Sequence, residues 1–247
     1  MAKETLKERM ERKRAELKAK GTQGAIYYLK ADTTVRVRIL NMGEENDFIQ
    51  EVIQFYLGSE IKGVISPASF GEPCAVNEAF NELKASDEDD DRELANKFPP
   101  RTRYLAYCAF YKDLQGKELD ENLSPKFMLL AAGTYQDILE LYLDEDEWGN
   151  MTDPDEGYDI KIGRTGSGKT DTEYTVSPCK NTPAPKAFRK EVYDLKELAQ
   201  EIMPTYEKTK QLIEQFLGLD PTEEEEKPEK GKKRIKKIIK KKQSDID

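Results

Sequence analysis

Residues 34–40 read TVRVRIL, and this stretch sets the expected fold class. Its apolar residues alternate with Arg36 and Arg38, and successive side chains of an extended chain point to opposite faces. One face is therefore apolar, and the other carries two guanidinium groups. The pattern predicts a half-buried β-strand with both arginines on its open face.

Outward from this strand, short strand-like segments alternate with short helical ones. β-branched and aromatic residues predict further strands, and apolar residues at helical spacing predict helices, the last with a break at Pro204. The predicted strands cover residues 47–57, 101–112, 127–130, 158–162 and 172–176, and the helices cover 75–83, 134–143 and 186–219. This order favours a mainly β protein of the mixed α+β type, built as a small barrel, over a doubly wound sheet.

The composition excludes several classes of enzyme. The 247-residue chain has no histidine, so Ser-His-Asp and Cys-His catalytic sites and histidine-ligated metal sites are impossible. The three cysteines, Cys74, Cys108 and Cys179, follow no regular spacing and predict no disulfide framework. Carboxylates, lysines and thiolates still leave some catalytic chemistry open. We expect a protein that is not an enzyme and that holds neither a cofactor nor a metal ion.

The charge is unevenly distributed, and its distribution predicts three regions. The formal net charge is −9, yet residues 1–30 hold nine Lys/Arg against four acidic residues, and residues 222–247 hold ten against seven. We expect a basic N-terminal arm over 1–21, a folded domain over 22–220 and a disordered charged tail over 221–247. The sequence has neither a long apolar segment nor a signal-like start, so we expect a cytoplasmic protein with no membrane partner.

Residues 163–170 read GRTGSGKT and match the P-loop pattern GxxxxGK[ST] of nucleotide-binding proteins. A working P-loop needs a helix directly after the motif, because amide groups at the helix N-terminus bind the phosphates. Here residues 171–178 read DTEYTVSP, which predicts a strand that ends at a proline. We therefore favour a glycine-rich hairpin tip, on which Arg164 and Lys169 can contact a nucleic-acid backbone. A P-loop nucleotide-binding protein remains a lower-ranked alternative.

A second basic and aromatic segment, over residues 101–112, reads RTRYLAYCAFYK. Strict alternation places Arg101, Arg103 and Tyr107 on one side, which we expect to be open, and Tyr104 on the other. Proteins that bind single-stranded nucleic acid combine a cationic groove with aromatic rings on which bases stack. A sheet whose tyrosines pack inside and whose arginines are solvated explains the same segment, so this pattern leaves both interpretations open.

The order of these segments resembles that of the T-even-type phage single-stranded-DNA-binding proteins and their shorter relatives. The resemblance extends over about residues 25–190. It depends on the order and spacing of several segments, and no single motif is diagnostic. The matching segments are VRVRIL at 35–40, PCAVNEAF at 73–80, PRTRYLAY at 100–107, Phe127–Leu130 with the helix that follows, and YDIKI at 158–162 with its hairpin.

This resemblance implies an OB-fold, a five-stranded barrel with helical insertions and C-terminal helices. It implies a phage protein that coats single-stranded DNA without strong sequence preference during DNA replication, recombination and repair. Neighbouring copies bound cooperatively on the DNA and phage replication and recombination proteins would be its partners, in the cytoplasm of the infected bacterial host. The implied DNA-binding residues are Arg36, Arg38, Arg101, Arg103, Tyr104 and Tyr107, to which the hairpin adds Lys161, Arg164 and Lys169.

The chain departs from the zinc-bearing members of that family. Those members ligate zinc with one histidine and three cysteines, whereas this chain has Asn77 where the second cysteine belongs and has no histidine. We expect Cys74 to be a small buried residue. The inserted region around it should then fold by apolar packing alone.

The two charged termini suggest further contacts. Relatives commonly end in an acidic arm, whereas this tail is strongly basic over residues 230–242, which suggests a second, nonspecific contact with phosphates. The basic N-terminal arm suggests a contact with the acidic surface of a neighbouring copy. A phage structural or scaffold protein would also account for charged terminal segments and is kept as a third interpretation.

Overall fold

The fold is described from a computed structural model of the chain. It covers residues 25–43, 45–58, 61, 63–111, 125–168, 171–189 and 191–218. The predicted N-terminal arm (1–21) and charged tail (221–247) lie outside the described residues, and so does Lys169 at the hairpin tip.

Short strands and helices alternate along the described part of the chain. The strands are β1 (Ile26–Tyr27), β2 (Thr33–Ile39), β3 (Ile49–Phe55), β4 (Val64–Ile65), β5 (Arg101–Phe110), β6 (Lys126–Leu130), β7 (Tyr158–Thr165) and β8 (Glu173–Asn181). The helices are α1 (Ala75–Lys84), α2 (Asp89–Ala95), α3 (Ala132–Leu143), α4 (Leu195–Ile202) and α5 (Tyr206–Leu217), with a 3₁₀ turn at Pro67–Phe70. The prediction of a mainly β protein with inserted helices is confirmed.

The strand pairing places β2 near the centre of the sheet. Six strands pair in the order β1-β6-β5-β2-β7-β8, and β3 pairs with β4. β1 and β6 are parallel, and the other pairs along this path are antiparallel. Within the described ranges β1 and β8 are not joined, so the sheet is open along this path and a closed five-stranded barrel is not confirmed.

By their internal contacts, the described residues form two compact units. Unit 1 comprises residues 25–51 and 103–202, and unit 2 comprises residues 52–102 and 203–218. Each unit has its own cluster of buried apolar side chains. Each core is therefore assembled from segments that are distant in the sequence.

The core of unit 1 lies on one face of its sheet. Antiparallel pairing sets Val35 opposite Ile162 and Val37 opposite Ile160, so the apolar sides of β2 and β7 point the same way. All four side chains are at most 7% exposed. Residues from the neighbouring strands and from α3 complete this core, among them Ala106, Cys108, Phe110, Met128, Leu130 and Ile138.

The core of unit 2 is built around phenylalanine rings. Phe98 is fully buried, and its ring centroid lies 5.2 Å from that of Phe216 and 6.0 Å from that of Phe80. Cys74 is 1% exposed within the same cluster, which confirms it as a small buried residue. In the described residues no group of three or more Cys, Asp or Glu side chains is arranged to hold a metal ion. Apolar packing therefore organises this unit.

The region over 186–219 differs in part from the prediction. The expected break at Pro204 is present, and Thr205 caps α5 by accepting a hydrogen bond from the amide of Lys208 (3.3 Å). Residues 186–189 and 191–194, however, are not helical. Of the residues that fitted the helical spacing there, Phe188 is buried but Val192 is 65% exposed, and the buried residue beside it is Tyr193. No helix in the described ranges is long and apolar enough to cross a membrane.

Truncating Ile160 should destabilise unit 1 strongly, whereas truncating Leu143 should not. Ile160 is 1% exposed in the core, so Ile160→Ala should lower the free energy of unfolding by about 2–5 kcal/mol. Leu143 is 72% exposed at the end of α3, and Leu143→Ala should cost less than about 0.5 kcal/mol. Urea unfolding followed by the fluorescence of Trp148, the single tryptophan, measures both. Equal losses would contradict the assigned core.

Candidate nucleic-acid interface

On β2 and β7, the side of the unit 1 sheet opposite its core is polar. Arg36 on β2 pairs with Lys161 on β7, next to the core pair Val37 and Ile160, so both basic residues point away from the core. Tyr111, directly after β5, donates its backbone amide to the Arg36 carbonyl (3.4 Å). We call this side the polar face and define it by Arg36, Arg38, Tyr111, Asp159 and Lys161.

Arg36 is held in a fixed position on the polar face. Its Nε and Nη2 atoms donate to Oδ2 of Asp159 at 2.9 and 2.5 Å. Its guanidinium carbon also lies 4.5 Å from the centre of the Tyr111 ring, within the range of a cation–π contact. The side chain keeps 17% of its surface exposed. Arg36 is therefore a positioned cation that solvent, or a phosphate, can reach.

Tyr111 is fixed by the same carboxylate. Its hydroxyl donates to Oδ2 of Asp159 at 2.5 Å. Burial, reinforced by this hydrogen bond and by the charge of Asp159, raises the pKa of the Tyr111 phenol above its ordinary value. The phenol therefore remains protonated at neutral pH and keeps its role as a donor, with its ring beneath the Arg36 guanidinium.

Arg38 is an interior residue, so the prediction that it shares an open face with Arg36 is wrong. It is 1% exposed, and its Nε donates to Oδ1 of Asp159 at 2.7 Å. Its Nη2 donates to the carbonyl oxygen of Thr182 at 2.5 Å and points towards that of Gly157 at 3.5 Å. The alternation of apolar and basic residues correctly predicted the side of β2 on which Arg38 lies. It could not predict that the segments at 153–157 and 182 cover this end of the face.

The aromatic residues of β5 are packed against protein. Tyr107 is 8% exposed, and its ring lies 4.9 Å from Phe127 and 5.4 Å from Tyr193. Burial raises its phenol pKa above the ordinary value, with a smaller contribution from nearby carboxylates. Tyr104 stacks on Tyr135 of α3, with centroids 4.0 Å apart and planes 17° apart.

The prediction that the 101–112 segment has an open side is therefore wrong for residues 105–110. All six residues from Leu105 to Phe110 are buried. The reason is that β5 pairs with β6 on one edge and β2 on the other, while α3 and the segment around Tyr193 pack on its rings. Arg103 is half-buried at the start of this strand.

Arg101, in unit 2, is exposed and lies over an aromatic ring. Its guanidinium carbon is 5.1 Å from the centre of the Tyr56 ring, and Tyr56 is 38% exposed. The Tyr56 hydroxyl donates to Oε1 of the buried Gln54 at 2.8 Å, which holds the ring in place. A Cβ at Gly63 would clash with Nε2 of Gln54 and lie 3.2 Å from the Tyr56 ring, so a larger residue there would displace the Gln54 side chain. We call Tyr56 and Arg101 the unit 2 patch.

The P-loop-like motif is a hairpin, as predicted. Its first three residues belong to β7, Thr165 pairs with Glu173, and a strand rather than a helix follows. The turn amides that would cradle a phosphate already donate to carboxylates: Gly166 to Asp32 (3.0 Å) and Gly168 to Asp171 (2.6 Å). This turn therefore offers neither a helix N-terminus nor unoccupied amides at these two glycines.

The basic residues of this hairpin differ in their surroundings. Lys161 is exposed on β7. Arg164 lies within β7 rather than on the tip, and its Nη1 donates to the carbonyl of Leu29 at 2.9 Å. This hydrogen bond stabilises the backbone just before β2. The prediction that Arg164 lies on a mobile tip is therefore wrong. Lys169 lies outside the described residues.

The chain matches a known protein family over most of its length. Residues 32–217 match the family described as gp32 DNA binding protein like. The chain belongs to the gp32-like DNA-binding family. The match runs from the start of β2 to the end of α5 and confirms the resemblance seen in the sequence. No curated protein matches the chain at a significant level.

In this gp32-like chain, the predicted DNA-binding residues differ in their surroundings; Arg103 is half-buried, and Lys169 lies outside the described residues. Arg36 and Lys161 meet on the polar face, and Arg101 is exposed in unit 2. The sequence did not point to Asp159 or Tyr56, and Tyr111 was left out of the predicted set. The segment YDIKI shows the same alternation as VRVRIL, and this pattern could have placed Asp159 beside the arginines. The residues held mainly by protein contacts or burial are Arg38, Tyr104, Tyr107 and Arg164.

Removing Arg38 should destabilise the gp32-like fold, and removing Lys161 should not. Arg38→Ala leaves the Asp159 carboxylate, itself fully buried, without one of its two cationic partners, and breaking a buried pair costs about 3–5 kcal/mol. Lys161→Ala removes the same charge from an exposed position and should cost less than about 0.5 kcal/mol. Urea unfolding followed by Trp148 fluorescence compares them. A loss at Arg38 as small as that at Lys161 would contradict its structural role.

Proposed function

We propose that this protein binds single-stranded DNA through the polar face and performs no reaction. The observation that carries the proposal is the fixed guanidinium of Arg36, stacked on the Tyr111 ring and paired across the sheet with the exposed Lys161, in a member of a DNA-binding family. Positioned cations beside aromatic rings are what single-strand binders use.

The chemistry of the polar face suits a flexible, unpaired strand. Lys161 and the exposed part of Arg36 supply positive charge to phosphates, and phosphate contacts carry no sequence information. Bases of any identity have a π-face, so stacking on aromatic or guanidinium planes tolerates every sequence. In a duplex these faces are hidden inside the base stack. The proposed preference is therefore for single strands, with little preference for sequence.

The unit 2 patch has the chemistry of a second candidate contact with single-stranded DNA. Arg101 and the half-exposed Tyr56 ring again combine a cation with an aromatic surface. The buried Gln54 holds the Tyr56 hydroxyl, so the ring loses little freedom when a base stacks on it. Each unit thus carries its own cation–aromatic pair.

We extend the proposal to the biological role that the family membership suggests. The protein would be a non-enzymatic OB-fold protein that coats single-stranded DNA during phage replication, recombination and repair, in the cytoplasm of the infected bacterium. Neighbouring copies would bind cooperatively, and replication and recombination proteins would be partners. The basic residues at both ends of the chain support additional contacts with DNA or with a second copy.

Fluorescence anisotropy with labelled oligo-dT tests the central claim. We expect tight binding to oligo-dT, much weaker binding to a duplex of equal length, and no hydrolysis of ATP. Equal affinity for the duplex would contradict the single-strand preference. ATP hydrolysis stimulated by the protein would instead favour a nucleotide-binding role for residues 163–170.

Replacing Lys161 should reduce the salt dependence of binding. Each phosphate neutralised on a single strand contributes about 0.7 to the slope of log K against log salt concentration, so Lys161→Ala should lower the slope by about that amount. Lys196→Ala removes an exposed lysine from α4 and serves as the control, with an unchanged slope. The same reduction in both variants would show a general charge effect and would contradict a phosphate contact at Lys161.

Replacing the Tyr56 ring should weaken binding even though no charge changes. Base–aromatic stacking contributes about 1–3 kcal/mol per base, so Tyr56→Leu should raise the Kd for oligo-dT by roughly five- to 150-fold. Tyr56→Phe keeps the ring but loses the hydrogen bond to Gln54 that restrains it, so its Kd should rise much less, by under about threefold. If Tyr56→Leu binds like the wild type, the unit 2 patch takes no part in binding.

A further inference from the structure

A carboxylate occupies the middle of the polar face, where phosphates are proposed to bind. The Asp159 side chain is fully buried and lies between Arg36 and Arg38. A negative charge at this point repels phosphate and lowers the net charge of the face. Its presence there calls for a role that outweighs this electrostatic loss.

Asp159 connects side chains from three segments of unit 1. Its Oδ2 atom accepts hydrogen bonds from Arg36 of β2 and from the hydroxyl of Tyr111, and its Oδ1 atom accepts one from Arg38. Asp159 itself is part of β7. The carboxylate therefore determines the position of the half-exposed cation and of the ring beneath it.

The buried Arg38 provides the fixed support of this arrangement. Its guanidinium donates to the carbonyl of Thr182 as well as to Asp159, and it is 1% exposed. One guanidinium charge thus offsets the carboxylate inside the protein. Within the polar face as defined, Arg36, Arg38 and Lys161 carry three positive charges against the single negative charge of Asp159.

We propose that Asp159 is a positioning residue for DNA binding, which fixes the Arg36 guanidinium and the Tyr111 ring in the geometry that the bound strand requires. This inference rests on the proposed function and adds a residue that does not itself touch DNA. A side chain fixed before binding loses little conformational entropy when the ligand arrives, and this increases affinity. The favourable effect exceeds the repulsion between the carboxylate and the phosphates.

The variant Asp159→Asn distinguishes a positioning role from that of a simple counter-charge, because the two roles predict opposite changes in the affinity for oligo-dT. The variant removes one negative charge and keeps the size of the side chain. If charge alone decided affinity, the more cationic face would bind oligo-dT more tightly. If Asp159 positions Arg36 and Tyr111, we expect the Kd to rise about tenfold at constant salt. Tighter binding by Asp159→Asn would overturn the proposal.

A double-mutant cycle separates positioning from a general loss of stability. Asp159→Asn is measured in the wild type and in an Arg36→Ala background, each at a temperature where Trp148 fluorescence shows the protein folded. If Asp159 acts through Arg36, its replacement should change the Kd less than about twofold once Arg36 is absent. A full tenfold loss in that background would overturn the proposal.

Tyr111→Phe provides the same test with a milder change. It keeps the ring and all charges and removes only the hydrogen bond to Asp159, so it applies if Asp159→Asn does not fold. We expect about a threefold rise in Kd that disappears in the Arg36→Ala background, and an additive loss would overturn the proposal.

Wild-type protein that fails to bind oligo-dT would overturn the proposed function itself, whereas wild-type binding with tighter Asp159→Asn binding would overturn only the positioning role.

Discussion

The ionic contact of Asp159 with Arg36 and Arg38 is the interaction on which the polar face depends. It joins β2 to β7 through side chains, across the same strands whose opposite sides form the core of unit 1. A buried guanidinium without a counter-charge is strongly unfavourable, so Arg38 can lie inside the protein only because Asp159 is there. The same carboxylate then orients Arg36 and Tyr111 at the surface. One buried carboxylate therefore supports both the burial of Arg38 and the candidate DNA contact.

Unit 2 is organised around a cluster of buried aromatic rings. Its cluster places Phe98 against Phe80 and Phe216, with Cys74 buried among apolar neighbours. Aromatic rings bury a large apolar area and prefer defined tilted geometries, so they can specify one arrangement of short helices. The surface of the same unit carries Tyr56, whose ring is fixed by a buried glutamine. A rigid apolar core thus supports an aromatic contact at the surface.

The glycine-rich hairpin illustrates why a motif needs its structural context. The letters of residues 163–170 satisfy a phosphate-binding pattern, yet the turn amides of Gly166 and Gly168 are bonded to Asp32 and Asp171. Carboxylates of the protein occupy positions that phosphate oxygens take in a P-loop. The strand that follows the turn pairs back on β7 and leaves no helix dipole to attract an anion.

The sequence by itself determined the alternation of strands and helices, the side of β2 that carries Arg36 and Arg38, the hairpin at 163–170 and the family. The first three features depend on local periodicity and turn chemistry, which a few neighbouring residues specify, and the family follows from the order and spacing of the segments. Only the tertiary structure decided that Arg38 is buried, that Tyr104 and Tyr107 pack against protein, and that Asp159 joins Arg36 to Tyr111. Burial depends on which distant segments cover a face, and Asp159, the carboxylate partner of Arg36 and Arg38, is more than 100 residues away in the chain. Periodicity specifies the direction of a side chain, whereas its exposure and its contacts are set by the packing of remote segments.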